Sequence, residues 1–181
     1  TAPTSPPLRA AGDGATVTAA GVPADPSAFD GDGTAVIVID DGFSPWYEQS
    51  DVVFAHDFSG AGDGWAGQWT WKSHGSWVAD VASDVAPGTD IIHLKVFGDD
   101  AGGASFADIE EALQWSVRWG EHFGAVAVNM SLGFGNVTGE VETTLSDEIA
   151  ALARRDIATT VAAGNAGRSY DEGVNVLAAD P

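Results

Sequence analysis

Cysteine is absent from the 181-residue sequence, and methionine occurs once. The first absence excludes disulfides, thiolate metal sites and a cysteine nucleophile, so the fold must be held by packing and by whatever cations oxygen ligands can bind. Basic residues are scarce too: seven Lys and Arg stand against 27 Asp and Glu, a formal net charge of -20. Such a chain is repelled by nucleic-acid phosphates and by anionic membranes, and neither is expected as a partner. No apolar run approaches the roughly 20 residues that cross a bilayer. The opening Thr1-Ala2-Pro3-Thr4-Ser5-Pro6-Pro7 lacks the basic-then-apolar pattern of an export signal. A soluble chain from which any such signal has been removed is the expectation. The acidity reads first as a solvated surface; it leaves room for structural calcium, while no cofactor is expected for chemistry.

What is present suffices for one core, since 44% of the residues are apolar and 19% charged. Residues 1–30, rich in Ala, Pro, Gly, Thr and Asp without periodicity, predict an irregular N-terminal arm, and residues 31–181 a single domain. Thr34-Ala35-Val36-Ile37-Val38-Ile39 predicts a strand buried on both faces, ended by Asp40-Asp41-Gly42. An aromatic loop follows, with Trp46, Tyr47, Trp65, Trp69 and Trp71, broken by a short strand at Val52–Phe54. His74, Trp77, Val78 and Val81 fall at helical spacing over 74–83, before the turn Pro87-Gly88. Ile91–Val96, Ala125–Met130 and Ile157–Val161 read as further strands. Ser105 caps a helix running to about Gly120 with a stripe of Phe106, Ile109, Leu113 and Val117, and Leu145, Ile149 and Leu152 stripe another. Strands alternating with helices predict an α/β fold, a doubly wound, mostly parallel sheet in three layers.

In such sheets, sites gather beyond the carboxyl ends of the strands. The segments there are Asp40-Asp41-Gly42, Gly98 to Gly103, Ser131-Leu132-Gly133 and Ala162-Ala163-Gly164-Asn165. The glycine loop is no phosphate cradle, since no lysine follows it at the needed spacing. His93, in a strand, reads as a core residue with a satisfied hydrogen bond, His122 as a cap on helix carbonyls, and His56 as a surface or structural residue.

Val36-Ile37-Val38-Ile39-Asp40-Asp41-Gly42 is similar to the aspartate motif of the subtilisin-like serine proteases, the subtilases, and Ser73-His74-Gly75-Ser76-Trp77-Val78-Ala79 to their histidine motif. Val85-Ala86-Pro87, the strand with Lys95-Val96, Asn129-Met130-Ser131-Leu132-Gly133 and Ala162-Ala163-Gly164-Asn165-Ala166-Gly167 resemble further landmarks. The likeness spans about Gly31 to Gly167, roughly the first two thirds of such a catalytic domain. It implies a secreted endopeptidase, made as a precursor, that cleaves peptide bonds through an acyl-enzyme. His74 would be the general base. Asp40 would orient its ring and stabilise the imidazolium, with Asp41 the alternative if the register moves by one. Asn165 would donate its amide to the oxyanion. Ser131, Leu132 and Gly133, with Gly102, Gly103 and Ala104, resemble the two segments that hold an extended peptide substrate, and Ala162, Ala163 and Gly164 would floor the primary specificity pocket.

The resemblance is incomplete. The family's Gly-Thr-Ser motif occurs nowhere in the sequence, and Ser44, Ser76, Ser131 and Ser169 sit in no nucleophile elbow. The expected partner is therefore a C-terminal fragment of the same precursor that carries the serine, and this chain alone should not hydrolyse peptides. The alternative is a catalytically incomplete module used for binding. Trp77, Asp80 and Phe134 also depart from the usual residues, and Phe134 should intrude on the substrate groove.

Overall fold

The computed structural model of the protein describes residues 30–44, 52–60, 73–99, 103–165 and 172–181. The arm up to residue 29, the loop residues Trp46, Tyr47, Trp65, Trp69 and Trp71, and Gly102 lie outside the described residues.

Among those described, one sheet holds five strands, β1 (Ala35–Asp40), β2 (Val52–Asp57), β3 (Asp90–Lys95), β4 (Ala125–Met130) and β5 (Ala158–Val161). Their order is β2, β3, β1, β4, β5, and every pairing is parallel. Three helices cover it: α1 (His74–Val85), α2 (Phe106–Trp119) and α3 (Ser146–Ala153). This is the predicted α/β architecture. β1 lies at the centre because it can be apolar on both sides. Ile37 and Ile39 pack with Ile109 and Leu113 of α2 and Leu152 of α3, whereas Val38 packs against Ala79 of α1. Each such fully buried aliphatic side chain contributes about 1.5–3 kcal/mol relative to an exposed one.

The chain runs from β2 through α1 to β3 and from β3 through α2 to β4, in both cases advancing in the same direction across the sheet. Yet α1 and α2 cover opposite faces. The two crossovers must therefore have opposite hands, and one of them departs from the strong right-handed preference of parallel βαβ units. The consequence for the site is that α1 starts directly beside the carboxyl end of β1.

Two predicted stripes are rearranged. In α1 the side chains facing the sheet are small, Gly75, Ser76 and Ala79, while Trp77 and Val81 are 49% and 64% exposed. Small residues let the helix approach β1 closely, so the bulky stripe is left on the open side. In α2, Ile109, Ala112, Leu113 and Ser116 are buried, but Phe106 in the first turn turns outward to meet Phe134 edge-on at 4.5 Å. Ser105 caps α2 as expected, accepting from the Asp108 N–H at 3.1 Å.

His93 is fully buried in β3 with Phe43 stacked on it at 5.0 Å. Its removal from water disfavours the imidazolium and lowers its pKa from 6.5 to about 3. The unfolded chain takes up this proton below pH 6.5 and the folded chain does not until about pH 3, so His93 withdraws stability as the pH falls through that window. The slope is at most about 1.4 kcal/mol per pH unit. A His93→Phe variant followed by denaturant unfolding is expected to show a flatter stability profile between these limits. His122 sits in the short 3-10 turn Gly120–Phe123, edge-on to Phe123 and Trp119, and His56 lies edge-on to Phe58.

Candidate active site

Asp40 is the last residue of β1, buried at 2% exposure, and His74 is the first residue of α1. Their approach is built by the loop after β1. Gly42 takes φ +90°, which an L side chain resists, and turns the chain beneath the start of α1. The Ser73 hydroxyl caps the helix by accepting from the Ser76 N–H at 3.2 Å and donates to the Gly42 carbonyl at 3.1 Å. The Ser76 hydroxyl in turn accepts from the Ser44 N–H at 2.8 Å. Asp41 completes the junction: its carboxylate accepts from the His74 N–H at 3.0 Å and the Gly75 N–H at 2.7 Å. A carboxylate on the free amides of a helix N-terminus is favoured by hydrogen bonding and by the helix dipole together.

Within this frame, Nδ1 of His74 stands 2.8 and 2.9 Å from the two carboxylate oxygens of Asp40. Asp40 rather than Asp41 faces the ring. Burial pushes the Asp40 carboxyl above its usual value, opposed by the Asp41 N–H at 2.8 Å and by His74. A carboxylate on Nδ1 holds the neutral ring with its proton there, leaving Nε2 as the basic nitrogen. The His74 side chain is 53% exposed, so the ring is anchored on one edge and open on the other. This pair can accept a proton from a hydroxyl presented to the open edge and hold the resulting charge.

Gly75 makes the approach possible. A Cβ there would stand 2.2 Å from the Gly42 carbonyl oxygen and 3.2 Å from the Asp40 Cβ. Gly75→Ala is expected to push α1 away from β1 and to cost about 1–3 kcal/mol. A thermal melt measures the cost, and the histidine ring resonances of an NMR spectrum report the altered Asp40 contact.

A cavity of about 860 Å³ opens beside the pair, lined by Asp40, Asp41, His74, Gly103, Ser131, Leu132, Gly133, Ala162, Gly164 and Asn165. The structure thus gathers nearly all the residues singled out in the sequence. Ala104 and Ala163 do not line the cavity: Ala104 pairs with Phe97 across the loop, and the Ala163 carbonyl accepts from the Asn175 N–H at 2.8 Å. Phe134 lines the cavity as expected, with Phe106 against it. Sequence reasoning missed Asn175, which lines the cavity, and the partners of Lys95, Asp57 and Asp99. Lys95 was legible in one respect: a lysine inside the strand Ile91–Val96 calls for a buried countercharge. Among the described residues, no three acidic or histidine side chains converge as metal ligands, and no helix is long and apolar enough to cross a membrane.

A parallel α/β sheet holds an Asp–His pair at the carboxyl end of its central strand, open to a cleft from which the ring can take a proton. The chain belongs to the subtilase family, peptidase S8, whose model matches residues 31–179. A solved structure described as a cold-adapted subtilisin-like serine proteinase shares the fold, with a TM-score of 0.59 and 24% sequence identity over 76% of this chain. The match covers 49% of that structure, so this chain spans about half its length.

Proposed function

We propose that this chain carries the acid, the base and the oxyanion donor of a secreted serine endopeptidase, and that polypeptide beyond these 181 residues, made as part of the same precursor, supplies the serine. The Asp40–His74 contact carries the reading, because an imidazole oriented by a carboxylate on Nδ1 and open at its other edge is equipped to take a proton from a group presented there. His74 takes the proton of the incoming hydroxyl as the oxygen bonds to the scissile carbonyl carbon, then delivers it to the leaving amine. Asp40 stabilises the imidazolium between these steps. Asn165, which lines the same cavity, donates to the developing oxyanion, and the peptide lies extended between Gly103 and Ser131–Gly133, with a side chain over Ala162 and Gly164.

A second observation supports a missing partner. On the α1 face of the sheet, an apolar groove of about 540 Å³ runs from His74 along Trp77, Val81 and Val85, with Val36 and Val38 at its base. Val81 and Val85 are 64% and 79% exposed, more than an aliphatic stripe beside a functional site needs, and an apolar element bearing the serine would both cover the groove and reach His74. Intact mass and terminal sequencing of everything that copurifies, paired with a peptide hydrolysis assay, test this. A second polypeptide containing Gly-Thr-Ser in the active preparation, and no activity without it, is the expected result. An active preparation containing this chain alone would overturn it, and an inactive one with no serine-bearing polypeptide would favour a binding module.

A further inference from the structure

Asn175 is 2% exposed and uses every hydrogen-bonding position of its side chain. Its Nδ2 donates to the Leu132 carbonyl at 3.0 Å and the Ala162 carbonyl at 2.8 Å, while Oδ1 accepts from the Phe134 N–H and the Leu177 N–H, each at 3.1 Å. Two carbonyls on one end and two amides on the other fix which end is nitrogen. Leu132 and Phe134 flank Gly133 on one wall of the cleft, and Ala162 belongs to the proposed floor of the specificity pocket. One buried amide therefore ties that wall to the floor. Wall and floor are both shaped to receive it: a Cβ on Gly133 would stand 1.8 Å from the Asn175 Nδ2, and Gly164, at φ +98°, brings its own missing Cβ position to 3.4 Å from the Asn175 Cβ. The backbone adds to the tie, with the Asn175 N–H donating to Ala163 and the Val176 N–H to the Phe134 carbonyl at 3.1 Å.

We infer that Asn175 is a positioning residue that sets how the Leu132–Phe134 wall stands over the Ala162–Gly164 floor, and so the register in which an extended peptide is held beside His74. It touches neither substrate nor His74 in this role; it acts through the backbone on either side. The inference rests on the peptide-cleaving reading above. Its signature is selective. A substrate that lies along Ser131–Gly133 depends on how that wall stands over the floor, whereas a single-residue ester reaches the floor alone.

The test compares kcat/KM for a tetrapeptide amide and a single-residue ester in the complete, serine-bearing enzyme, for wild type, Asn175→Asp and Asn175→Ala. Asp keeps the shape and the acceptor but turns an oxygen toward the Leu132 and Ala162 carbonyls, so it breaks the tie with little change in volume. The tetrapeptide-to-ester ratio is expected to fall about 100-fold in Asn175→Asp, mostly through KM, the scale of a misplacement of about 1 Å. An equal loss on both substrates, or no loss, would overturn the inference while leaving the proteolytic reading intact; failure of the wild type to cleave either substrate would sink that reading instead. Amide hydrogen exchange keeps the clamp testable in that case and where kinetics fail: Phe134 and Leu177 are expected to exchange faster in Asn175→Ala, and unchanged protection would dismiss the clamp.

Discussion

Asp40→Asn in the serine-bearing enzyme is expected to lower kcat by about 10⁴-fold with KM nearly unchanged. The carboxylate does two things that an amide cannot. It accepts the Nδ1 proton through both oxygens, at 2.8 and 2.9 Å, which fixes the tautomer, and it offsets the charge that His74 acquires in the transition state. An Asn presenting its NH2 group to the ring would select the opposite tautomer and place a proton on Nε2, where the base must be free. The same substitution should stabilise the fold. Burial raises the folded-state pKa of Asp40 above its ordinary 3.8, so the wild type loses stability as the pH rises from 3.8 through the folded value, and the Asn variant, which does not ionise, loses none. The variant's advantage should open across that window and stay level above it, measured by urea unfolding. Loss of activity accompanied by gain of stability separates a functional carboxylate from a structural one.

Lys95→Met is expected to cost about 3–5 kcal/mol, the largest loss of stability from a single charged side chain among the described residues. The Lys95 ammonium is 1% exposed and lies 3.1 Å from Asp57, itself 2% exposed, and 3.2 Å from the Ser59 hydroxyl. Removing the ammonium leaves a buried carboxylate with only the Ser59 N–H and hydroxyl, at 2.8 and 2.6 Å, to hold its charge. The second pair, to Asp99 at 3.1 Å, adds little stability because Asp99 is 57% exposed and solvent screens it. Its effect is on the cleft, since Asp99 lines the cavity beside His74 and Lys95 holds it there. The double variant Lys95→Met with Asp57→Asn keeps the Ser59 contacts without the stranded charge, and most of the loss should return. Denaturant midpoints at unchanged m distinguish these outcomes. A double variant as unstable as the single one would show that packing around the lysine stem, rather than charge, sets the cost.

The sequence disclosed the frame of this molecule because its main strands and helices carry strong periodicity and clear stops. Ala125–Met130 is a strand with the bounds read from the sequence, α1 starts at His74 as its spacing predicts, and α2 starts behind the capping Ser105. The site was legible for the same reason: a parallel sheet sends Asp40, Ser131 and Ala162 to one edge, whichever loops connect them. What escaped notice depends on tertiary geometry. Exposed Trp77 and Val81 reflect how closely Gly75 and Ala79 bring α1 to the sheet, which periodicity alone does not encode. Phe106 leaves its stripe because Phe134 offers an edge-to-face contact across the cleft. Asn175 follows Gly173-Val174 and looks like a turn residue until the wall and floor it joins are seen in place.

Treating the active preparation with a serine-directed fluorophosphonate and mapping the modified residue by peptide mass is the most direct measurement of whether the imidazole of His74 awaits a hydroxyl from outside these 181 residues. The account predicts a phosphonylated serine within a Gly-Thr-Ser sequence absent from this chain, with labelling lost in His74→Ala. A label on any serine of the present sequence, or labelling that survives His74→Ala, would contradict it.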